Sequence, residues 1–296
     1  MPRRTLAILA LVVLMIVWGS TFVVTKAAAR EIPPLTLAAL RFLIAALVLI
    51  PIALRRGGLA RLPKPVPWAA LTLMAISGIA IFAVTFTFAL VHGSASQGAL
   101  IYALVPACVA LAAVLYLGEK VSRQRIAGIV LSILGVVVVT MAGERTAEAP
   151  HPVFGALWIF GAVIAWSAYT VFAKRLAQAD FVVTIAIVST LGALMLLPLS
   201  AVELSVTPWS NPSTSAWAGV LFLGVAASAV AYIVYGFALR ELDASLVGVY
   251  TNLDPIVGVV TAVLFLGEEL YAGQIAGGLI AFVGMWLASK PETIGA

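Results

Sequence analysis

Apolar residues run along this chain in long blocks, interrupted at intervals by Pro, Gly and small clusters of charge. A helix needs about 20 apolar residues to cross a bilayer. Ten blocks of that kind are present, at 6–28, 35–54, 68–91, 95–117, 126–142, 154–173, 181–203, 216–238, 244–266 and 273–288. The pattern predicts an all-α polytopic membrane protein with ten transmembrane helices. The first block is longer than a signal-peptide core and lacks a small-residue cleavage site, so it is read as a retained helix. The longest connections, 55–67 and 205–215, leave no room for a soluble domain, and Trp209 and Trp217 beside the second suit a membrane interface.

Composition agrees. Of 296 residues, 63% are apolar and 10% charged, against about half and a quarter in soluble domains. A net charge of +5 would suggest nucleic acid in a soluble protein; here it records loop bias, and no nucleic-acid partner is expected. Ten crossings put both termini on one side. With them in the cytoplasm, thirteen Lys and Arg lie inside and three outside (Lys26, Arg30 and Arg145), while Arg41 falls within the second span. The positive-inside rule therefore sets the orientation. The single cysteine, Cys108, lies in an apolar run, so disulfides within the chain and Cys-based metal sites are excluded.

Self-comparison reveals a repeat. Trp18 and Lys26 recur 148 positions on as Trp166 and Lys174. From there the offset is 149: Phe86 to Leu90 matches Tyr235 to Leu239, Ala95 and Ser96 match Ala244 and Ser245, and Pro106 matches Pro255. Leu117-Gly118-Glu119 matches Leu266-Gly267-Glu268, and Gly128 and Gly135 match Gly277 and Gly284. Five helices per copy is an odd number, so the second copy enters the membrane from the opposite side. The expected domains are two inverted five-helix repeats, 1–148 and 149–296. Such repeats are characteristic of secondary transporters with a midplane site.

Trp18-Gly19-Ser20 with Phe22, Arg41-Phe42, Phe88-Ala89-Leu90, Pro106, Leu117-Gly118-Glu119, Gly128 and Gly135, followed by their second-half counterparts, form a pattern over essentially the whole chain. It resembles the drug/metabolite transporter superfamily in its ten-helix EamA branch. The resemblance implies a carrier of small metabolites in a bacterial inner membrane, commonly an exporter. Length and aromatic content are similar to those of an amino-acid exporter of that branch, which implies amino acids, aromatic or apolar ones included, as substrates. Nucleosides and cationic drugs are the alternative classes. One departure is Asp254 before Pro255, where the first half has Val105 before Pro106.

Placing each span's centre at its midpoint brings Trp18, Pro106, Trp166, Asp254 and Pro255 to similar depth. A proline within a helix frees the carbonyl four residues earlier, here Tyr102 and Thr251, so Pro106 and Pro255 are expected helix kinks. A midplane carboxylate is costly and faces a cavity or a partner. Asp254 is thus expected to bind an amine, to exchange a proton, or to sit protonated on a local carbonyl. Helical spacing puts Tyr250 on its face with Asn252 one step round. With Gln97, Tyr102, Phe82 and Phe86 these form one candidate wall of a substrate pocket, and Trp18, Trp166 and Tyr169 the other. His92, near the outer face beside Gly93, Ser94 and Ser96, is with Asp254 a candidate gating or coupling residue, or a satisfied helix-end residue. Lys26 and Lys174 are expected to snorkel, and Arg41 to bond helix-end carbonyls in preference to holding a ligand. Glu119 and Glu268 read as caps or locks between repeats. The glycines at 128, 135, 277 and 284 make close-packing faces that either join the two halves or form a weak homodimer.

The expected partners are a small-molecule substrate, the lipid bilayer and, for coupling, protons. No cofactor or metal is expected. No paired carboxylates, His cluster or nucleotide loop suggests an enzyme or an ATP-driven pump. A channel, a scramblase and an intramembrane enzyme are the remaining alternatives.

Overall fold

Backbone buried in lipid must satisfy its hydrogen bonds within the segment, which favours helix wherever apolar runs of this length occur. The computed structural model describes residues 3–117, 123–143, 146, 149–174, 176, 179–207, 211–242, 247 and 250–289. Among these no strand forms, only an isolated bridge between Thr146 and Ala149. The helices are α1 (Arg3–Ala28), α2 (Pro34–Arg55), α3 (Trp68–His92), α4 (Ala95–Tyr102), α5 (Val105–Leu117), α6 (Arg123–Met141), α7 (Pro152–Lys174), α8 (Phe181–Val206), α9 (Thr214–Ala238), α10 (Leu253–Leu266) and α11 (Ala272–Ser289). Of these, α1, α2, α3, α7, α8 and α9 are long and apolar enough to cross a membrane, and shorter apolar helices occupy the other four expected spans.

Two of those four spans are interrupted. The span expected at 95–117 is two helices, separated at Ala103 and Leu104, and the one expected at 244–266 has a turn at Asn252 before α10 begins. Positions 103 and 252 are 149 apart, and each lies three residues before a proline. The interruptions before Pro106 and Pro255 are short turns whose backbone stays right-handed, with Ala103 and Asn252 both in the helical region: the ring collides with the carbonyl four residues back, which is left without its amide donor. The long helices α3 and α9 each contain a π-helical stretch, Ile76–Ile81 and Phe222–Val230. The first maps within the second at the same offset.

The glycine faces are used within the chain. A Cβ on Gly128 would meet backbone of Gly284 and Ala288, and one on Gly135 backbone of Gly277 and Ala281. Partners fall in number on α11 as they rise on α6, so the two helices run antiparallel at backbone contact. Ser132 Oγ donates to the carbonyl of Ala281 at 3.3 Å, and these two residues are themselves 149 apart. A residue that touches its own repeat equivalent sits on the axis relating the two copies.

Side chains close the helix ends on the face that carries the α1–α2 and α3–α4 turns. Glu268 follows α10 and accepts from the amides of Ala95 and Ser96 at 2.8 Å each and from Ser96 Oγ at 2.7 Å. It is a cap and a lock between repeats; Glu119, its counterpart, lies outside the described residues. Glu203 caps α2 in the same manner through Leu35, Thr36 and Thr36 Oγ1. Glu31 accepts from the amide and hydroxyl of Ser213, the N-cap of α9, and those bonds hold its carboxyl below the usual range. Lys26 does not snorkel to water. It is buried, and its Nζ donates to the carbonyls of Gly93 at 2.6 Å and Leu90 at 3.2 Å, the free acceptors at the end of α3. The side chain of Lys174 is outside the described residues. On the opposite face Arg56 pairs with Asp180, the N-cap of α8, at 3.0 Å. Partial burial raises the Asp180 carboxyl, but the Arg56 bond and the amides of Val183 and Val182 outweigh it, and the net shift is downward.

Candidate functional site

Nine aromatic rings form one network where α1, α3, α4, α7 and α9 meet. Trp18 and Trp166 stand edge to face with centroids 6.1 Å apart. They are repeat equivalents in direct contact, so they too lie on the axis between the copies. Tyr232 and Tyr235 flank Trp18 at 6.1 and 5.4 Å. Phe82 and Tyr169 flank Trp166 at 5.3 and 5.0 Å. Phe22, Phe86 and Tyr102 complete the set, with Phe22 5.0 Å from Phe86 and 5.7 Å from Tyr102. Each such pair contributes roughly 0.5–1.5 kcal/mol beyond its burial.

Local irregularities position this cluster. Trp18 Nε1 donates to the carbonyl of Ala227 at 3.0 Å, inside the π-helical stretch of α9. Tyr169 packs its ring against Gly78 in the π-helical stretch of α3, where any Cβ would collide with it. Gly19, next to Trp18, lets α1 approach the carbonyl of Asp254 and the side chain of Val257. Asp254 opens the half-helix α10; its residue is 9% exposed, and Oδ1 has no hydrogen-bond partner among the described residues. A carboxylate suits a helix N-terminus, where the dipole favours negative charge.

The expected site residues divide into two groups. Trp18, Phe82, Phe86, Tyr102, Trp166 and Tyr169 are brought together, and Asp254 lies within electrostatic reach of Tyr102. Tyr250 packs with Trp18 against a neighbouring cluster built on Leu11, Met15 and Ala231, while Asn252 forms the turn at the break. Gln97 is not in the network. It sits in the first turn of α4, its amide over Gly93 and Gly143. His92 is likewise remote, in a separate nest with Phe88, Phe154 and His151, and its carbonyl accepts from the amide of His151.

Sequence reasoning passed over Phe22, Tyr232, Tyr235 and Arg41 as site residues. The repeat signals one of them, since Tyr235 is the counterpart of Phe86. Arg41 does not reach helix-end carbonyls. It is buried, its Nε donates to Ser228 Oγ in the π-helical stretch of α9 at 2.9 Å, and it lies within electrostatic reach of Tyr232 and Tyr102.

Among the described residues the chain is helical, with long apolar spans, two spans interrupted before a proline and a cluster of aromatic and ionisable groups between them, the architecture of a polytopic membrane protein. The EamA-like transporter family model matches residues 5–141 and again 153–290, and the chain belongs to that family. An uncharacterized transporter of Archaeoglobus fulgidus is 29% identical, over 99% of each chain. A probable amino-acid metabolite efflux pump of Salmonella typhimurium is 30% identical, over 94% of this chain and 93% of its own length. A crystal structure with a TM-score of 0.65 and 23% identity covers 96% of this chain and 97% of its own, a likeness of fold. The protein is a transporter and not an enzyme.

Proposed function

We propose that this transporter exports small amino-acid metabolites, aromatic or apolar ones included, by alternating access at the aromatic network. The observation that carries the reading is the contact between Trp18 and Trp166. In inverted repeats the relating axis lies at the membrane midplane, where substrate sites of this architecture are found. Rocking of the halves 1–148 and 149–296 about that axis exposes the site to each side in turn. Aromatic walls with a few polar groups suit a semi-apolar ligand, and the kinship with an amino-acid metabolite efflux pump supports the class. Asp254 supplies the coupling: it carries either the substrate's cationic group or a proton, and never both. The basic face bearing Arg56 and Arg61 is cytoplasmic, with both termini, and the membrane is the inner one.

The test is uptake into proteoliposomes across a panel of amino acids, nucleosides and cationic drugs, with and without a pH gradient. Saturable amino-acid flux that responds to the gradient, and a loss of that response in Asp254→Asn, are the expected results. Transport of nucleosides or cationic drugs in place of amino acids would replace the substrate class, and a gradient response that survives in Asp254→Asn would remove the coupling role.

A further inference from the structure

Arg41 and Asp254 are both buried within membrane-spanning helices, where an unpaired charge is expensive and usually marks a ligand or ion path. Their natural remedy would be each other. They make no ion pair together, and neither has one with any other described residue. Arg41 spends Nε on Ser228 Oγ, a neutral acceptor, which orients the guanidinium and leaves its two Nη groups unbonded among the described residues. Gly224 admits the backbone of α2 at Arg41 against α9, so the residue is held at its stem. Asp254 Oδ1 is sealed from water and unbonded. Both are tied to one stretch of α1: Arg41 bonds Ser228, the residue after the Ala227 carbonyl that accepts from Trp18, and Gly19, the residue after Trp18, packs against the Asp254 carbonyl.

From this arrangement we infer a split clamp for a zwitterion, with Arg41 taking the carboxylate of an α-amino acid and Asp254 its ammonium, while the side chain lies among the rings of Phe82, Trp18 and Trp166. The inference rests on the amino-acid reading of the site and adds to it the division of labour between two opposite charges. Arg presents a planar fork that matches a carboxylate, whereas Asp accepts from an ammonium. A zwitterion neutralises both buried charges and brings no net charge into the membrane. A ligand with one charge leaves the other residue unpaired. Either partner would thus be rejected when its mate group is missing, as sites built to bond a polar group reject analogues that lack it.

The experiment is ligand-induced change of intrinsic tryptophan fluorescence in the purified full chain, with L-phenylalanine, phenethylamine (no carboxylate) and 3-phenylpropionate (no ammonium). The wild type is expected to bind phenylalanine at least tenfold more tightly than either analogue. Arg41→Gln, which can still bond Ser228, is expected to lose the preference over phenethylamine while keeping that over phenylpropionate. Asp254→Asn should do the reverse. Arg41→Lys should restore part of the carboxylate preference. A merely structural role would weaken all three ligands alike. If the wild type binds phenylalanine and both analogues equally, the clamp is overturned and the amino-acid reading stands. If it binds none of the three while transporting nucleosides or cationic drugs, the amino-acid reading itself fails. The wild-type comparison needs no variant to fold.

Discussion

Replacing Glu268 by Ala tests whether the two halves are locked at the helix ends. The carboxylate accepts three hydrogen bonds of 2.7–2.8 Å from the first turn of α4, two of them from amides with no intrahelical partner. Loss of a capping side chain costs about 0.5–2 kcal/mol, and charge at a helix N-terminus adds roughly 0.3–2 kcal/mol. Because Glu268 is only half-buried, water recovers part of this, and the total comes to about 1–3 kcal/mol. At about 2 °C of melting temperature per kcal/mol for a chain of this size, Glu268→Ala should melt roughly 2–6 °C lower. Glu268→Gln keeps one acceptor and should lose about half as much. Exposed Glu269 serves as the control and should show no change when made Ala. Hydrogen exchange supplies a local readout, since peptides covering the first turn of α4 should exchange faster in Glu268→Ala alone. An unchanged melting temperature together with unchanged exchange would refute the lock.

Gly135→Ala should destabilise by about 1–3 kcal/mol, because its Cβ would sit 2.6 Å from the carbonyl oxygen of Gly277 and against backbone of Ala281; a melting curve matching the wild type would show that α6 and α11 separate freely. Asp180→Asn should lower stability at pH 7 by less than about 1 kcal/mol, the pair being partly exposed. The Asp180 carboxyl titrates below its ordinary value of 3.8 in the folded chain, so its contribution is present above that value and is lost as pH falls through the lower folded one. Melting followed from pH 7 to pH 3 should therefore converge for the two proteins, and a constant gap would contradict this. Trp166→Ala removes ring contacts with Trp18, Phe82, Tyr169 and Tyr232, and transport in proteoliposomes should fall at least tenfold; full activity would exclude the network as the substrate site.

The spans were legible because lipid demands helices and apolar length, a requirement written in every block of the chain. The interruptions were legible through Pro106 and Pro255, although a proline marks where a ladder fails and not how many residues leave it. Helix-end chemistry was half legible. Glu268 could be read as a lock from its place in the repeat, whereas Lys26 was expected at water, because nothing local in the sequence shows that the carbonyls of Leu90 and Gly93 end beside it. Gln97 was misplaced relative to the rings for the same reason: depth in a span does not say which neighbour a helix faces. The π-helical stretches left no pattern in the sequence, and with them went the positions of Ser228 and Ala227 that orient Arg41 and Trp18. Arg41 is the largest omission, and its depth in the second span was the only available hint.

Counterflow measures alternating access most directly. Proteoliposomes loaded with unlabelled L-phenylalanine and diluted into trace labelled L-phenylalanine should show a transient, saturable accumulation of label that is absent from empty vesicles. Label that enters linearly with concentration and is indifferent to the internal amino acid would describe a channel and contradict the account.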